Sequence, residues 1–283
     1  MIDLHVHTIY SDGEFSPKEI LDLCKLRNIT VIGITDHNIM EGCKLAILEN
    51  PYKDIKVIPG LELSAKYDVR GANLHILGYN IDLENDMLNN VCNSIREDNV
   101  MRLESVVSLL STHYGLTFKE EDLKRIYTSI GNIGRPDIAK LCVEYGYAET
   151  INEVFDNYLN PIDLEVKKRK TELSDKEIIE YILNAGGIPV LAHPIELKMD
   201  DDTLRQYIKK LLSFGLRGIE VYQSKHSRKY TNMLLDIVNE YNLLYSVGSD
   251  YHGPVVTPNI ELGFGTDNNL CKNEASILNE ILG

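Results

Sequence analysis

Seven short apolar segments recur along the chain, at residues 2–6, 31–34, 56–58, 73–78, 188–192, 218–222 and 244–247. Each is rich in β-branched residues or bounded by Gly, Pro or Asp, the pattern of a buried strand. Amphipathic stretches separate several of them. Residues 16–27 open on a capping serine with Pro17 at the first helical position. Residues 174–184 open on Ser-Asp-Lys-Glu and are stopped by Ala185-Gly186-Gly187. Residues 202–214 and 228–241 are further helices. Strands alternating with helices predict a parallel α/β architecture, and seven of them predict a barrel rather than an open sheet. The rhythm breaks between the fourth and fifth segments, where residues 87–113, 119–127 and 135–145 read as helices. Residues 83–171 are therefore expected to form a mostly helical insertion in a barrel domain made of 1–82 and 172–283.

Chemistry-bearing side chains gather at the ends of these segments. Six of the eight histidines lie there. His5 and His7 are two apart on the first segment, so on a strand they point to the same side. Asp12 follows in a Tyr-Ser-Asp-Gly loop. The second segment runs into Asp36-His37, the third into Glu62, the fifth into His193, and the seventh into Asp250 and His252, with His75 on the fourth. The C-terminal rim of an α/β barrel is where successive strands bring side chains into one site. Singly, these residues have ordinary explanations: a hydrogen-bonded core histidine, Asp36 capping a helix, Asp12 in a turn. Nine ionisable residues (His5, His7, Asp12, His37, Glu62, His75, His193, Asp250 and His252) at one rim are instead expected to hold metal, since burying them unpaired is costly. Imidazole and carboxylate without thiolate suit zinc, manganese or iron, and the ligands outnumber what one ion takes.

The series His-x-His, Asp, Asp-His, Glu, His, His, Asp-x-His resembles the PHP family, named for polymerases and histidinol phosphatases, over about residues 1–80 and 172–265. The resemblance implies a distorted seven-stranded β/α barrel holding two or three divalent ions of Mn, Fe or Zn. It implies His5 and His7 on one ion, with Glu62 bridging to a second and Asp250 assisting. Glu62, His75 and His193 are implied on the second ion, and Asp12, His37 and His252 on the third. Asp36 is implied to orient a ligand rather than bind an ion. Residues 133–139, Tyr158-Leu159 and residues 185–194 narrow the likeness to the stand-alone phosphoesterase branch, whose members act on nucleoside 3′,5′-bisphosphates or on short RNA from the 5′ end. Residues 160–163, Asn-Pro-Ile-Asp, stand where that branch has a glycine-rich segment. A hydrolase of phosphoric esters is thus implied, with the insertion covering its active site. Metals would activate the water, so no Ser or Cys nucleophile is required. The alternatives are a phosphatase of the histidinol-phosphate type and a non-catalytic metal-holding module.

Substrate-binding candidates follow from charge and position. Arg135, in Gly-Arg-Pro at a helix start, can clamp a phosphate with its planar fork. Residues 224–228 follow the sixth strand at the same rim. They offer the Ser224 hydroxyl, the cations Lys225 and Arg228, and a His226 imidazole able to donate to phosphate or protonate a leaving oxygen. Asp250, His193 and His226 are the catalytic candidates. Lys167-Lys168-Arg169-Lys170 is a dense basic run in a chain of formal net charge −14, and Lys168 is its candidate for guiding a phosphate-bearing substrate. The ordinary reading of such a run is a solvated face.

The acidity argues against duplex DNA as a partner. A small phosphorylated nucleotide or a short single-stranded RNA is expected instead. No run approaches the roughly 18 apolar residues of a membrane span. The opening Met-Ile-Asp-Leu-His-Val-His-Thr lacks the basic and apolar regions of a secretory signal. Five scattered cysteines without a Cys-x-x-Cys pair fit a reduced, cytoplasmic protein. Neither a glycine-rich phosphate loop nor a dinucleotide fingerprint is present, so ATP and NAD are not expected.

Overall fold

The computed structural model describes every residue of the chain except Asp68, Arg70, Ile130 and Arg169. Arg169 of the basic run therefore lies outside the described residues. The chain divides into two compact units, Met1–Asn89 with Leu173–Gly283, and Asn90–Glu172.

The first unit holds strands β1 (Ile2–Val6), β2 (Val31–Ile34), β3 (Lys56–Ser64), β4 (His75–Tyr79), β5 (Ile188–Leu191), β6 (Gly218–Gln223) and β7 (Leu244–Gly248). They form one sheet in chain order. Its two edges meet just beyond the strand ends. The His7 N–H donates to the Tyr251 carbonyl at 3.0 Å, and the Asp250 N–H to the His5 carbonyl at 2.9 Å. The sheet therefore curls into a nearly closed α/β barrel, as the alternation of strands and helices predicts.

The barrel is not all parallel, which corrects the sequence expectation. β3 pairs with β4, and β4 with β5, in antiparallel register, while the other pairs are parallel. Only residues 65–74 join β3 to β4, and the described ones among them carry no helix. A parallel return needs a crossover of about a dozen residues or more. The reversal matters for the site. His75 is the first residue of β4 and pairs with Ser64 at the end of β3, so it reaches the rim where the parallel strands end.

Helix α1 (Pro17–Leu26) starts as its sequence predicts: the Ser16 N–H donates to Glu19 Oε2 at 2.8 Å, and the Glu19 N–H donates back to Ser16 Oγ. Helix α2 (Glu41–Leu48) has no such signal, because its Met40 cap offers no side-chain acceptor. Helices α3 (Asp86–Tyr114), α4 (Glu120–Tyr127), α5 (Arg135–Glu144) and α6 (Ile151–Val154) follow, then a π-helical turn at Phe155–Leu159. Helices α7 (Asp175–Asn184), α8 (Asp201–Phe214), α9 (Arg228–Tyr241) and α10 (Ser276–Leu282) return to the first unit. Ser174 and Glu177 cap α7 reciprocally, and Gly186 beyond it takes a positive φ of 71°.

Each unit has its own apolar core. Leu4, Ile58, Leu77, Val190 and Val247 belong to one cluster of the barrel unit, and Val6, Ile20, Leu21, Ile32 and Ile34 to another. Leu103, Val106, Leu110, Ile138 and Leu159 pack within the second unit. Burying each such side chain contributes roughly 1.5–3 kcal/mol. Among the described residues no helix is long and apolar enough to cross a membrane.

Candidate metal centre

β1 does not alternate throughout: its pairing with β2 shifts register between Asp3, which pairs with Ile32, and Val6, which pairs with Ile34, so that Leu4 packs in one apolar cluster and Val6 in the other. His5 meets side chains from strands that are not neighbours of β1 in the sheet, Glu62 of β3 and Glu220 of β6, so these groups point into the barrel. Asp3, His5, His7, Glu62 and Glu220 are all fully buried.

Glu62 is the hub. Its Oε1 lies 2.9 Å from His193 Nε2 and 3.1 Å from His75 Nδ1, and those two nitrogens are 3.3 Å apart. Its Oε2 lies 3.4 Å from both His5 Nε2 and His7 Nε2, and 2.9 Å from His37 Nδ1. Asp250 Oδ1 faces the same pair, 3.6 Å from His5 Nε2 and 3.4 Å from His7 Nε2. Asp12 Oδ1 sits 3.2 Å from His252 Nε2, and Asp12 Oδ2 sits 3.8 Å from His37 Nε2. Four overlapping groups result: His7, Asp12, His37 and His252; His5, His7 and Asp250; His5, Glu62 and His193; His37, Glu62 and His75. Within each, one donor atom per residue lies within 4.8 Å of the others. All nine sequence-predicted residues are thus brought together. The reversal of β4 and the loops after β1, β2, β5 and β7 supply the positions.

This donor set fits divalent ions. The His5 and His7 Nε2 atoms are 3.1 Å apart, too close for two lone pairs with nothing between them. A tetrahedral ion with ligand bonds of about 2.1 Å sets its ligands about 3.4 Å from one another. The separations among the His5, His7, Glu62 and Asp250 donor atoms run from 3.1 to 3.6 Å and bracket that edge. Glu62 Oε2 and His37 Nδ1 are 2.9 Å apart, yet both are buried without a hydrogen bond. Their approach therefore lacks hydrogen-bond geometry, as when two ligands face a common point. Nitrogen and carboxylate oxygen without sulfur suit divalent first-row ions.

The electrostatics agree. Burial would push the Glu62 carboxyl up, but His37, His75 and His5 overcome it and hold it well below the usual range. Asp250 behaves likewise under His5, His7 and His193. His37, despite burial, is raised to about 9 by Glu62 and Asp12. His7 is lowered to about 3 by burial and by the neighbouring His252. Two of these residues have left-handed backbone, His193 with φ 23° and Asp250 with φ 58°. Such conformations cost energy and cluster at functional sites.

Asp36 lies behind the centre. Its Oδ1 accepts from the Thr8 N–H at 2.7 Å and from the Ser11 hydroxyl at 2.6 Å, and its Oδ2 accepts from the Thr8 hydroxyl at 2.7 Å. Ser11 Oγ in turn is 3.3 Å from His7 Nδ1, so Asp36 braces the loop that carries His7 and Asp12.

The substrate candidates are less gathered. The Ser224 hydroxyl donates to the Ser249 carbonyl at 2.6 Å and is occupied in joining two loops. His226 Nδ1 donates to the Val221 carbonyl at 2.9 Å, and burial lowers its pKa to about 4. Its Nε2 is then an unpartnered acceptor, not the donor expected from the sequence. Arg228 is exposed at the start of α9 and lines, with His226 and Lys272, a cavity of about 380 Å³. Arg135 belongs to the second unit, where its Nη1 donates to Asp163 Oδ1 at 2.7 Å and its guanidinium lies over the Phe155 ring. With Asn99 and Arg102 it lines a cavity of about 360 Å³. Lys168 is exposed in the same unit.

Sequence reasoning passed over three carboxylates and underused one lysine. Lys225, not Ser224 or Arg228, reaches the centre: its Nζ is 3.9 Å from Asp250 Oδ2 and is ion-paired with Glu196. Glu196 Oε2 stands 3.7 Å from His193 Nδ1. Asp3 Oδ1 accepts from the Ser249 N–H at 2.9 Å and its Oδ2 from the Gly263 N–H at 2.7 Å, fastening β1 to the chain beyond β7. Glu220 contacts His5. A carboxylate inside a short strand between buried apolar neighbours, Ile-Asp-Leu at 2–4 and Ile-Glu-Val at 219–221, was the available signal for Asp3 and Glu220.

Comparison with known proteins agrees with this geometry. The chain is 28% identical over 266 residues to a 5′-3′ exoribonuclease of Haemophilus influenzae, covering 94% of each. It is 28% identical over 254 residues to a 3′,5′-nucleoside bisphosphate phosphatase of Chromobacterium violaceum, covering 89% of this chain and 87% of that one. Its fold matches the crystal structure of a candidate metal-dependent phosphoesterase from Bifidobacterium adolescentis with a TM-score of 0.76 at 25% identity, over 99% of this chain and 95% of the other. The PHP domain family model matches residues 3–214, about three quarters of the chain, and the chain belongs to the PHP domain family.

Proposed function

We propose that this chain is a metal-dependent hydrolase of phosphoric esters that acts on nucleotides. Its substrates on this reading are nucleoside 3′,5′-bisphosphates, from which it removes the 3′-phosphate, and short 5′-phosphorylated RNA, which it cleaves from the 5′ end. The observation that carries the reading is Glu62, one buried carboxylate whose two oxygens face two different histidine sets. A shared carboxylate suits adjacent ions, and adjacent ions suit phosphoryl chemistry. The kinship with a nucleotide phosphatase and an exoribonuclease supports the nucleotide class.

His5 and His7 with Glu62 and Asp250 would hold one ion; Glu62, His75 and His193 a second; and Asp12, His37 and His252 a third. Mn, Fe and Zn all suit these donors. Such ions, when bound, neutralise phosphoryl oxygens and acidify water. The chain's own residues do the rest. Burial of His5, His7 and Glu62 keeps bulk water off the ligands and strengthens every charge interaction there. Lys225, beside Asp250, offers a cation to a phosphoryl oxygen entering the centre. His226 presents Nε2 as an acceptor, and Asp250 and His193 position the reacting groups through their strained backbones. Arg135 and Lys168 are the groups proposed to read a second phosphate, Arg135 by its planar fork. The reading takes a small or single-stranded substrate in a reduced, cytoplasmic setting and no duplex DNA, in keeping with a net charge of −14.

The test is product analysis by mass spectrometry. Manganese-loaded protein receives equal amounts of adenosine 3′,5′-bisphosphate, a 5′-phosphorylated RNA pentamer and histidinol phosphate. AMP with free phosphate, or mononucleotides from the pentamer, is the expected outcome and says which nucleotide activity dominates. Turnover of histidinol phosphate alone, or of nothing, overturns the reading.

A further inference from the structure

Glu220 lies on β6, separated from β1 by β7, and is fully buried. Its Oε1 is 2.9 Å from His5 Nδ1, and its Oε2 accepts the backbone N–H of His193 at 2.7 Å. A carboxylate only accepts, so the His5 nitrogen facing it is the N–H and His5 Nε2 keeps its lone pair. That Nε2 is the atom 3.1 Å from His7 Nε2 and 3.4 Å from Glu62 Oε2. The other oxygen grips His193 where its backbone has φ 23°. Gly248 is shaped around the pair: a Cβ there would stand 2.2 Å from His5 Cβ and 2.5 Å from Glu220 Oε1.

We infer that Glu220 is a positioning residue that sets two ligands of the metal centre at once, the ring of His5 and the backbone of His193. The inference rests on the metal-centre reading above. An amide cannot replace the carboxylate. If its oxygen accepts from His5 Nδ1, its NH2 meets the His193 N–H, donor against donor. If it is flipped, its NH2 turns His5 Nδ1 into an acceptor and moves the ring proton to Nε2, which then cannot bind an ion. Losing a partner behind a ligating histidine typically weakens metal binding by about 10–100-fold.

The test is equilibrium dialysis of the full chain against graded Mn²⁺, with bound metal counted by elemental analysis, for wild type, Glu220→Gln and Glu220→Asp. Circular dichroism melts of the metal-free proteins run alongside. Wild type is expected to bind more than one ion per chain. Glu220→Gln is expected to lose about 10–100-fold in affinity at the site built on His5 while the site built on Asp12 and His252 stays filled. Glu220→Asp, still a double acceptor, is expected to recover part of the loss. The cobalt-loaded absorption spectrum should change shape in Glu220→Gln, which a purely structural role would not require. Equal affinity and spectrum in wild type and Glu220→Gln overturn the inference and leave the metal centre standing. Wild type that binds no metal overturns the metal centre itself.

Discussion

Replacing Glu62 by Gln separates a shared metal centre from a set of independent polar contacts. Ions that bind the folded chain and not the unfolded one stabilise it by about 2.7 kcal/mol per site when present at a hundred times their Kd. Unfolding entropy, scaled to 283 residues, is about 0.6 kcal/mol/K. Each filled site should therefore raise Tm by about 4–5 °C. Glu62 faces the His5 and His7 nitrogens with one oxygen and those of His75 and His193 with the other. Glu62→Gln should abolish the increment of two sites and leave that of Asp12 and His252. The assay is a thermal melt in chelator and again in Mn²⁺, compared within each variant, because the metal-free Tm also falls when a buried carboxylate is taken from its histidines. A metal increment in Glu62→Gln as large as that of wild type would refute the bridging role.

Three further outcomes follow. Metal-free His37 is raised to about 9 by Glu62 and Asp12 in spite of burial, so an ion must displace its proton. Apparent metal affinity should fall as pH drops from 9 to 6, and calorimetry in buffers of different ionisation heat should detect released protons; identical heats would count against it. Arg135→Ala should raise KM about 10–100-fold with little change in kcat, Arg135→Lys should not rescue it because the fork over Phe155 is lost, and Asp163→Asn should lower KM by freeing the guanidinium. His226→Leu, which removes an acceptor, should cost about 10-fold in kcat, while His226→Gln, which keeps an acceptor near the Nε2 position, should retain most activity; equal loss in both would show that the ring acts as a base rather than as a hydrogen-bond acceptor.

Much of this centre was legible before any coordinates. Imidazoles and carboxylates at the ends of apolar segments stand out because those segments are otherwise nonpolar, and α1 and α7 announce themselves through local caps that need no tertiary partner. What stayed hidden depends on contacts distant in the chain. The reversal of β4 goes with a connection too short for a parallel crossover, so His75 reads as a residue on a strand until pairing with β3 shows which end it occupies. Glu220 reads as one charge in Gly-Ile-Glu-Val-Tyr-Gln, and its partner is His5, 215 residues away. Whether His226 Nε2 donates or accepts a hydrogen bond is decided by the Val221 carbonyl and by burial, neither visible in residues 224–228. Arg135 reads as a free cation until Asp163, within the segment that departs from the branch pattern, is found beside it.

Phosphate release from adenosine 3′,5′-bisphosphate by stripped and metal-restored protein, in wild type and in Asp250→Asn, tests the account most directly. Asp250 faces His5 and His7 with one oxygen and Lys225 with the other, so the change touches ligand set and cation together. The account predicts no release from stripped protein, release on adding Mn²⁺, and at least about a 10²-fold lower rate in the metal-restored variant. Equal release with and without metal, or full activity in Asp250→Asn, would contradict it.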